Sequence, residues 1–331
     1  MPDASDVILL TGAGGFIGSH TAEALLASGA TVVGLENFDS FYDPAIKHRN
    51  IDELRAHPHA DRFTLIESDL CDIPSVDALF EKHQFTGVIH LAARAGVRPS
   101  IAEPSLYAKV NVEGTNTLLE AARRTPSVTR FVLASSSSVY GNNEKVPFAE
   151  TDDVNEPISP YAATKRACEL ISHTFHHLYG MPIACLRFFT VYGPRQRPDL
   201  AISKFMRLIS SGEPIPMFGN GQTSRDYTFI EDIVAGVLAS YDRIPEFGFR
   251  IWNLGGNEPV TLDDMIGTIE RVIGQSATLD HQPAQMGDVN RTFADLTRSA
   301  AELDYAPKVS FQEGVRRQWE WTKERLAASA G

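Results

Sequence analysis

The sequence predicts an α/β fold, a Rossmann-like doubly wound parallel sheet with a smaller C-terminal substrate-binding lobe, on three observations. Apolar runs of strand length alternate with helix-length stretches, a glycine-rich turn joins the first run to the first helix, and the pattern breaks up only after the sixth run. The runs are Val7 to Leu10, Thr31 to Leu35, Phe63 to Ile66, Gly87 to His90, Arg130 to Ala134 and Pro182 to Arg187. They are apolar throughout rather than alternating, the mark of parallel strands covered on both faces. Beyond Leu186, Pro194, Pro198, Pro214 and Pro216, with Gly219-Asn220-Gly221 among them, open a second lobe. Phe229 to Ser240 reads as a helix and Arg250 to Leu254 as one more strand returning to the sheet. The expected division is 1–189 for the larger domain with a return at 227–256, and 190–226 with 257–331 for the smaller lobe.

With 331 residues, 43% of them hydrophobic, the chain can build one large domain and a lobe around a continuous core. A net charge of −12 argues against nucleic-acid and membrane-surface partners, which need a basic face. Cys71, Cys168 and Cys185 have neither metal-ligand spacing nor a disulfide framework, and Met1 to Asp6 leads into an apolar run too short for a signal or a membrane span. The expectation is a cytoplasmic protein handling small molecules. His173 and His177 stand at helical i, i+4 spacing beside His176, but no third ligand or general-base glutamate completes a metal site, so no metal is expected.

The first run ends in Thr11-Gly12-Ala13-Gly14-Gly15-Phe16-Ile17-Gly18, followed by the helical Thr21 to Ala27. Gly12, Gly15 and Gly18 let the chain turn sharply, bring backbone N–H groups, with those of Phe16 and Ile17, up to a pyrophosphate, and pack the helix close to its strand. A tight βα connection with no ligand is the alternative, and the place of the turn between the first strand and first helix of a βαβ unit favours the ligand. Glu36 ends the second run where a carboxylate would accept hydrogen bonds from a free ribose 2′-hydroxyl and repel a 2′-phosphate, so the cofactor expected is NAD. Asp69 and Leu70, after the third run, are placed to line the adenine, although an Asp there equally caps a helix.

The fifth run leads into Ser135-Ser136-Ser137-Ser138-Val139-Tyr140-Gly141, and Tyr161-Ala162-Ala163-Thr164-Lys165 follows on the next helix. Tyr161 and Lys165, four apart, share one helical face, where a lysine cation lowers a phenol's pKa and can hold a ribose hydroxyl. Spacing alone fits an ordinary surface pair equally well; the glycine-rich turn and the serine run favour the functional reading.

Thr11 to Gly18, His90-Leu91-Ala92-Ala93, Ser135 to Gly141 and Tyr161 to Lys165 together resemble the motifs of NAD-dependent extended short-chain dehydrogenases/reductases acting on nucleotide sugars, over almost the whole chain. The resemblance makes Tyr161 the acid/base, Lys165 its partner and Ser136 the third catalytic member, with Ala92 beside the cofactor. Sugar-nucleotide 4,6-dehydratases carry Asp-Glu where this chain has Ser137-Ser138, and UDP-glucuronate decarboxylases carry Glu at Ser138. Ala95 to Arg98, Arg187 to Pro194, Arg197-Pro198-Asp199, Gly287-Asp288-Val289 and Thr292 to Asp295 resemble most the UDP-glucuronate 4-epimerases. Arg195-Gln196 and Ile202 to Phe205 depart from that family's more aromatic pattern, while Thr190 and Gln285 replace the Asn and Arg usual in UDP-glucose 4-epimerases.

The resemblance implies epimerisation of a UDP-sugar through a 4-keto intermediate, with UDP-glucuronate the expected substrate. Ser137, Ser138 and Thr190 are the candidate carboxylate binders, and Arg225 and Arg197 the candidate diphosphate clamps, with Arg98 a further candidate. Asp288 is a candidate for uridine hydroxyls and Thr292 for a position beside the sugar. Arg197 reads equally as a solvated loop charge, and Asp288 as a turn residue. The helices from Pro104 to Arg123 and Tyr161 to His177 form a homodimer interface in related enzymes, so a homodimer is expected on that basis. A UDP-glucose 4-epimerase, a net dehydrogenase and a non-catalytic NAD-binding regulatory module are the alternatives; the intact triad weighs against the last.

Overall fold

A computed structural model describes residues 2–283 and 289–329. The first half runs β1 (Val7–Thr11), α1 (Phe16–Ala27), β2 (Thr31–Glu36), α2 (Pro44–Arg55), β3 (Phe63–Glu67), α3 (Ile73–Lys82) and β4 (Gly87–His90). Next come α4 (Val97–Ala102), α5 (Pro104–Tyr107), a π-helical turn at Ala108–Glu113, α6 (Gly114–Arg123), β5 (Arg130–Ser136), α7 (Pro160–Tyr179) and β6 (Ile183–Phe188). Then follow β7 (Thr190–Tyr192), α8 (Ala201–Ser211), β8 (Ile215–Phe218), β9 (Ser224–Phe229), α9 (Ile230–Phe247) and β10 (Phe249–Leu254). The last elements are β11 (Pro259–Thr261), α10 (Leu262–Ile273), β12 (Leu279–Gln282), α11 (Thr297–Leu303) and α12 (Phe311–Ser329).

Seven parallel strands form the main sheet in the order β10-β6-β5-β4-β1-β2-β3. Side chains alternate across it: Ile8 and Leu10 join one buried layer and Leu9 the other, so continuous apolarity reflects helices on both faces. The six runs and the returning strand seen in the sequence are these seven strands. Strand order reverses between β1 and β4, which opens a crevice at their carboxyl ends. The smaller sheets β11-β9-β7 and β12-β8 flank that crevice from the C-terminal part of the chain. Among the described residues no helix is long and apolar enough to cross a membrane.

Candidate active site

Two adjoining cavities occupy the crevice. The larger, about 700 Å³, is lined by the glycine-rich turn, Glu36, Asp69, Leu70, Ala92, Ser136, Tyr161, Lys165, Thr190 and Arg197. The smaller, about 170 Å³, is lined by Val97, Ser137, Ser138, Ile158, Ser159, Thr190, Arg225, Val289 and Thr292. Thr190 borders both.

Local sequence explains the larger wall. Gly12 has φ +73°, and a Cβ there would stand 2.9 Å from the Ala92 nitrogen; one on Gly18 would stand 1.9 Å from the Gly12 carbonyl oxygen. No Cβ fits at Gly12 or Gly18, and the Ala13 side chain turns into the core, so the backbone remains open to a bound dinucleotide. Glu36 is buried: its Oε2 accepts the Gly14 N–H at 3.1 Å, and its Oε1 accepts the Phe38 N–H and Lys47 Nζ at 3.1 and 3.0 Å. One lone pair on Oε2 is left for a ribose hydroxyl. Asp69 accepts from Asn37 Nδ2 and the Cys71 N–H, both at 2.8 Å, which fixes the turn carrying Leu70. The space, the side-chain-free turn and this carboxylate together fit NAD.

The catalytic candidates come from two elements. Ser159 caps α7 by accepting the Ala162 N–H at 3.2 Å, and Pro160 starts the helix, which sets Tyr161 in the first turn and Lys165 one turn on. Lys165 is buried and donates to the Ala134 carbonyl at 2.7 Å, tying α7 to the end of β5. The Tyr161 ring meets Tyr107 edge-on at 6.2 Å, and Tyr107 donates to the Ala95 carbonyl at 2.8 Å. At the end of β5 the Ser136 hydroxyl accepts the Ser138 N–H and lies 3.1 Å from Ser138 Oγ. Consecutive serines thus divide between the cavities: Ser136 faces the larger with Tyr161 and Lys165, and Ser137 and Ser138 face the smaller.

Of the substrate candidates, Arg225 and Thr292 share the small cavity with Ser137, Ser138 and Thr190. Beneath them Asp226 accepts N–H groups of Gly256 at 2.6 Å and Ala294 at 2.9 Å, and its own N–H donates to Thr292 Oγ1 at 3.1 Å. Burial pushes its carboxyl up to about 6, although the backbone donors oppose the shift. Arg197 is elsewhere: it lines the larger cavity, paired through two bonds with Asp199 and stacked on Phe41, so it is not grouped with Arg225. Arg98 lies over the Phe218 ring. Asp288 lies outside the described residues. His90 is buried between Thr11 Oγ1 at 2.8 Å and Thr115 Oγ1 at 3.0 Å, and burial followed by the Lys165 charge pushes it down to about 3, so it packs as a neutral ring. His173 and His176 pack on Phe249. Among the described residues no group of three or more His, Cys, Asp or Glu side chains could hold a metal.

Sequence reading missed the scaffold beneath the triad. Glu169, one turn after Lys165, accepts Ser135 Oγ at 2.6 Å and two Arg187 bonds at 2.9 Å, all buried. Burial opposes its charge, but the Arg187 bonds hold its carboxyl below the usual range. The Tyr161, Lys165, Glu169 spacing was a legible signal of a shared helical face. Asn111 had none: buried in the π-helical turn, it clasps the Arg94 backbone with bonds of 2.7 and 3.0 Å and reaches Thr164 on α7 at 3.1 Å.

Comparison with known proteins places this site in a family. A family model described as GDP-mannose 4,6 dehydratase matches residues 9–318. The chain belongs to the GDP-mannose 4,6 dehydratase family. Within it, the chain is 40% identical over 319 residues to a UDP-glucuronate 4-epimerase of Thermodesulfobacterium geofontis, covering 96% of each. Among solved structures it resembles the UDP-glucuronic acid 4-epimerase of Bacillus cereus in complex with UDP-glucuronic acid and NAD, at TM-score 0.89 and 34% identity, covering 96% of this chain and 99% of that one. It also resembles the UDP-glucose 4-epimerase of Thermotoga maritima with UDP-glucose, at TM-score 0.87 and 30% identity over 97% and 99% of the two chains.

Proposed function

We propose that this chain interconverts UDP-glucuronate and UDP-galacturonate by epimerisation at C4. The chain is an NAD-dependent nucleotide-sugar epimerase; the uronate is the finer reading. One observation carries it: the small cavity, which shares Thr190 with the cavity holding Tyr161, combines the hydroxyls of Ser137, Ser138, Thr190 and Thr292 with the Arg225 guanidinium and has no acidic residue in its lining among the described residues. Such a lining accepts an anionic sugar without offering a proton donor of carboxylic acid strength.

Bound NAD, held by the glycine-rich turn, Glu36 and Lys165, supplies the hydride acceptor and, on return, the donor. The residues do the rest. Tyr161 takes the C4 hydroxyl proton, with Lys165 one turn on along the same helix and Ser136 relaying between phenol and sugar. After the 4-keto sugar turns about its diphosphate, held by Arg225, Tyr161 returns the proton as hydride reaches the other face. A 4-keto uronate is a β-keto acid and prone to lose carbon dioxide; Ser137, Ser138 and Thr190 bind the carboxylate and restrain that loss. The homologous UDP-glucuronic acid and UDP-glucuronate epimerases support this reading.

Changing Ser138 or Thr190 to Ala tests it. The expected result is a larger loss of turnover on UDP-glucuronate than on UDP-glucose, with pentose product appearing; equal losses on both sugars overturn the uronate reading. Exposed Leu170 and Leu178, eight apart on α7, support the homodimer as well. Light scattering that gives a monomer at micromolar concentration overturns that part.

A further inference from the structure

We propose that Phe41, in cation–π contact with both Arg94 and Arg197, is a positioning residue that retains the dinucleotide between the two hydride transfers. The inference rests on the reading of the chain as an NAD-dependent epimerase and adds a device to it. The Arg94 guanidinium carbon lies 4.7 Å from the Phe41 ring centroid and that of Arg197 lies 4.9 Å from it. All three residues line the larger cavity, together with Tyr161 and the glycine-rich turn. They come from three separate segments: the β2–α2 connection, the stretch after β4, and the stretch after β7. The contacts therefore join three segments of the wall of the cavity that fits NAD.

Each arm is anchored independently of the ring. Asp39 accepts the Phe41 N–H at 2.8 Å and pairs with the Arg94 guanidinium, which also lies 3.7 Å from Glu103. The Arg94 backbone is clasped by Asn111, as above. Arg197 is oriented by its bonds of 3.0 and 2.7 Å to Asp199. Its stretch is fastened at two neighbouring positions. Gln196 bonds the Val191 carbonyl at 3.0 Å and Gln318 at 2.8 Å, and Arg195, at φ +63°, pairs with Glu23 and Glu53 of α1 and α2. These anchors orient two cations toward the same aromatic ring, whose quadrupole attracts each of them.

Chemistry gives such a grip a purpose. A net dehydrogenase must release reduced cofactor at each turnover, whereas an epimerase must return the hydride to the same sugar. Reduced cofactor lost before that return strands a keto sugar and an enzyme without its hydride. Side chains that tie separate segments of the cavity wall together lower the dissociation rate, with no demand on the chemical step itself.

The test measures nucleotide release without sugar. Wild-type protein and Phe41→Ala are loaded with NADH, and dissociation is followed by loss of NADH fluorescence after an excess of NAD is added. Removing two cation–π contacts of about 0.5–1 kcal/mol each is expected to speed release about fivefold to thirtyfold, and Phe41→Tyr to restore the wild-type rate. During turnover, Phe41→Ala is expected to leak free NADH and 4-keto sugar in equal amounts. Should Phe41→Ala fail to fold, Arg94→Gln, which removes one of the two cations, is expected to speed release by a smaller factor. A folded variant releasing nucleotide at the wild-type rate overturns the clasp and leaves the epimerase reading intact. Wild-type protein that binds neither NAD nor NADH overturns both.

Discussion

The two cavities of the crevice are built by opposite means. The larger draws its lining from segments between Gly12 and Leu200, but two of its motifs are local: the turn from Gly12 to Gly18 follows directly on β1, and Tyr161 and Lys165 share one helix. The smaller is assembled from α4, the stretches after β5 and before α7, β7, β9 and the stretch around Val289 to Thr292, segments up to about 195 residues apart that meet only in the fold. The larger depends on the absence of side chains and on backbone direction, the smaller on the identity of a few hydroxyls. On the proposed function, the first holds the residues of the reaction and the second those that choose the sugar. Substitutions in the first should therefore abolish chemistry, and those in the second should redirect it.

The largest expected effect is at Tyr161. Tyr161→Phe keeps the ring against Tyr107 and removes the acid/base, so kcat should fall about 10²- to 10⁴-fold while nucleotide binding, read by NADH fluorescence, is unchanged. An equal loss of nucleotide binding would mean that the phenol holds the cofactor more than it moves the proton. Next is the buried network that ties α7 to β5 and β6. Glu169→Ala leaves Arg187 buried without its partner, which should destabilise the fold by about 3–5 kcal/mol in denaturant titration. A smaller loss would show that water or a shifted side chain replaces the carboxylate, and would weaken the claim that this pair fixes Ser135 and the β5 end.

Smaller and more selective is Thr190, the residue common to both cavities. Thr190→Val should lower kcat/KM for UDP-glucuronate roughly tenfold, about the worth of one charge-assisted hydrogen bond, with less change for UDP-glucose. The smallest effect is a pH dependence at Asp226. Its folded pKa, about 6, is raised above the ordinary carboxylate value, so its favourable contribution is fully present only below about pH 4 and is lost as pH rises through about 6. Relative to Asp226→Asn, wild-type protein should lose on the order of 1–2 kcal/mol between pH 5 and pH 7.5. A flat difference would place the burial energy elsewhere.

The same contrast explains what the sequence disclosed. Strand and helix alternation, the glycine spacing and the Tyr161–Lys165 pair are local, and periodicity carries them directly. The Ser135–Glu169–Arg187 network and the Asn111 clasp depend on which helix faces which strand, which no local pattern contains. Glu36 stood at its expected place, but its partnership with Lys47 and Gly14 arises only when α2 packs beside the turn. Arg197 carried a charge suited to phosphate; its place beside Phe41 depends on a loop course set by Arg195 and Gln196.

The most direct measurement is incubation of purified protein with UDP-glucuronate, NAD present, and identification of the sugars by NMR. The account predicts UDP-galacturonate with little pentose, because neutral hydroxyls hold the carboxylate of the keto intermediate. UDP-xylose or a 4-keto pentose as the main product would contradict it, as would an unchanged uronate alongside rapid turnover of UDP-glucose.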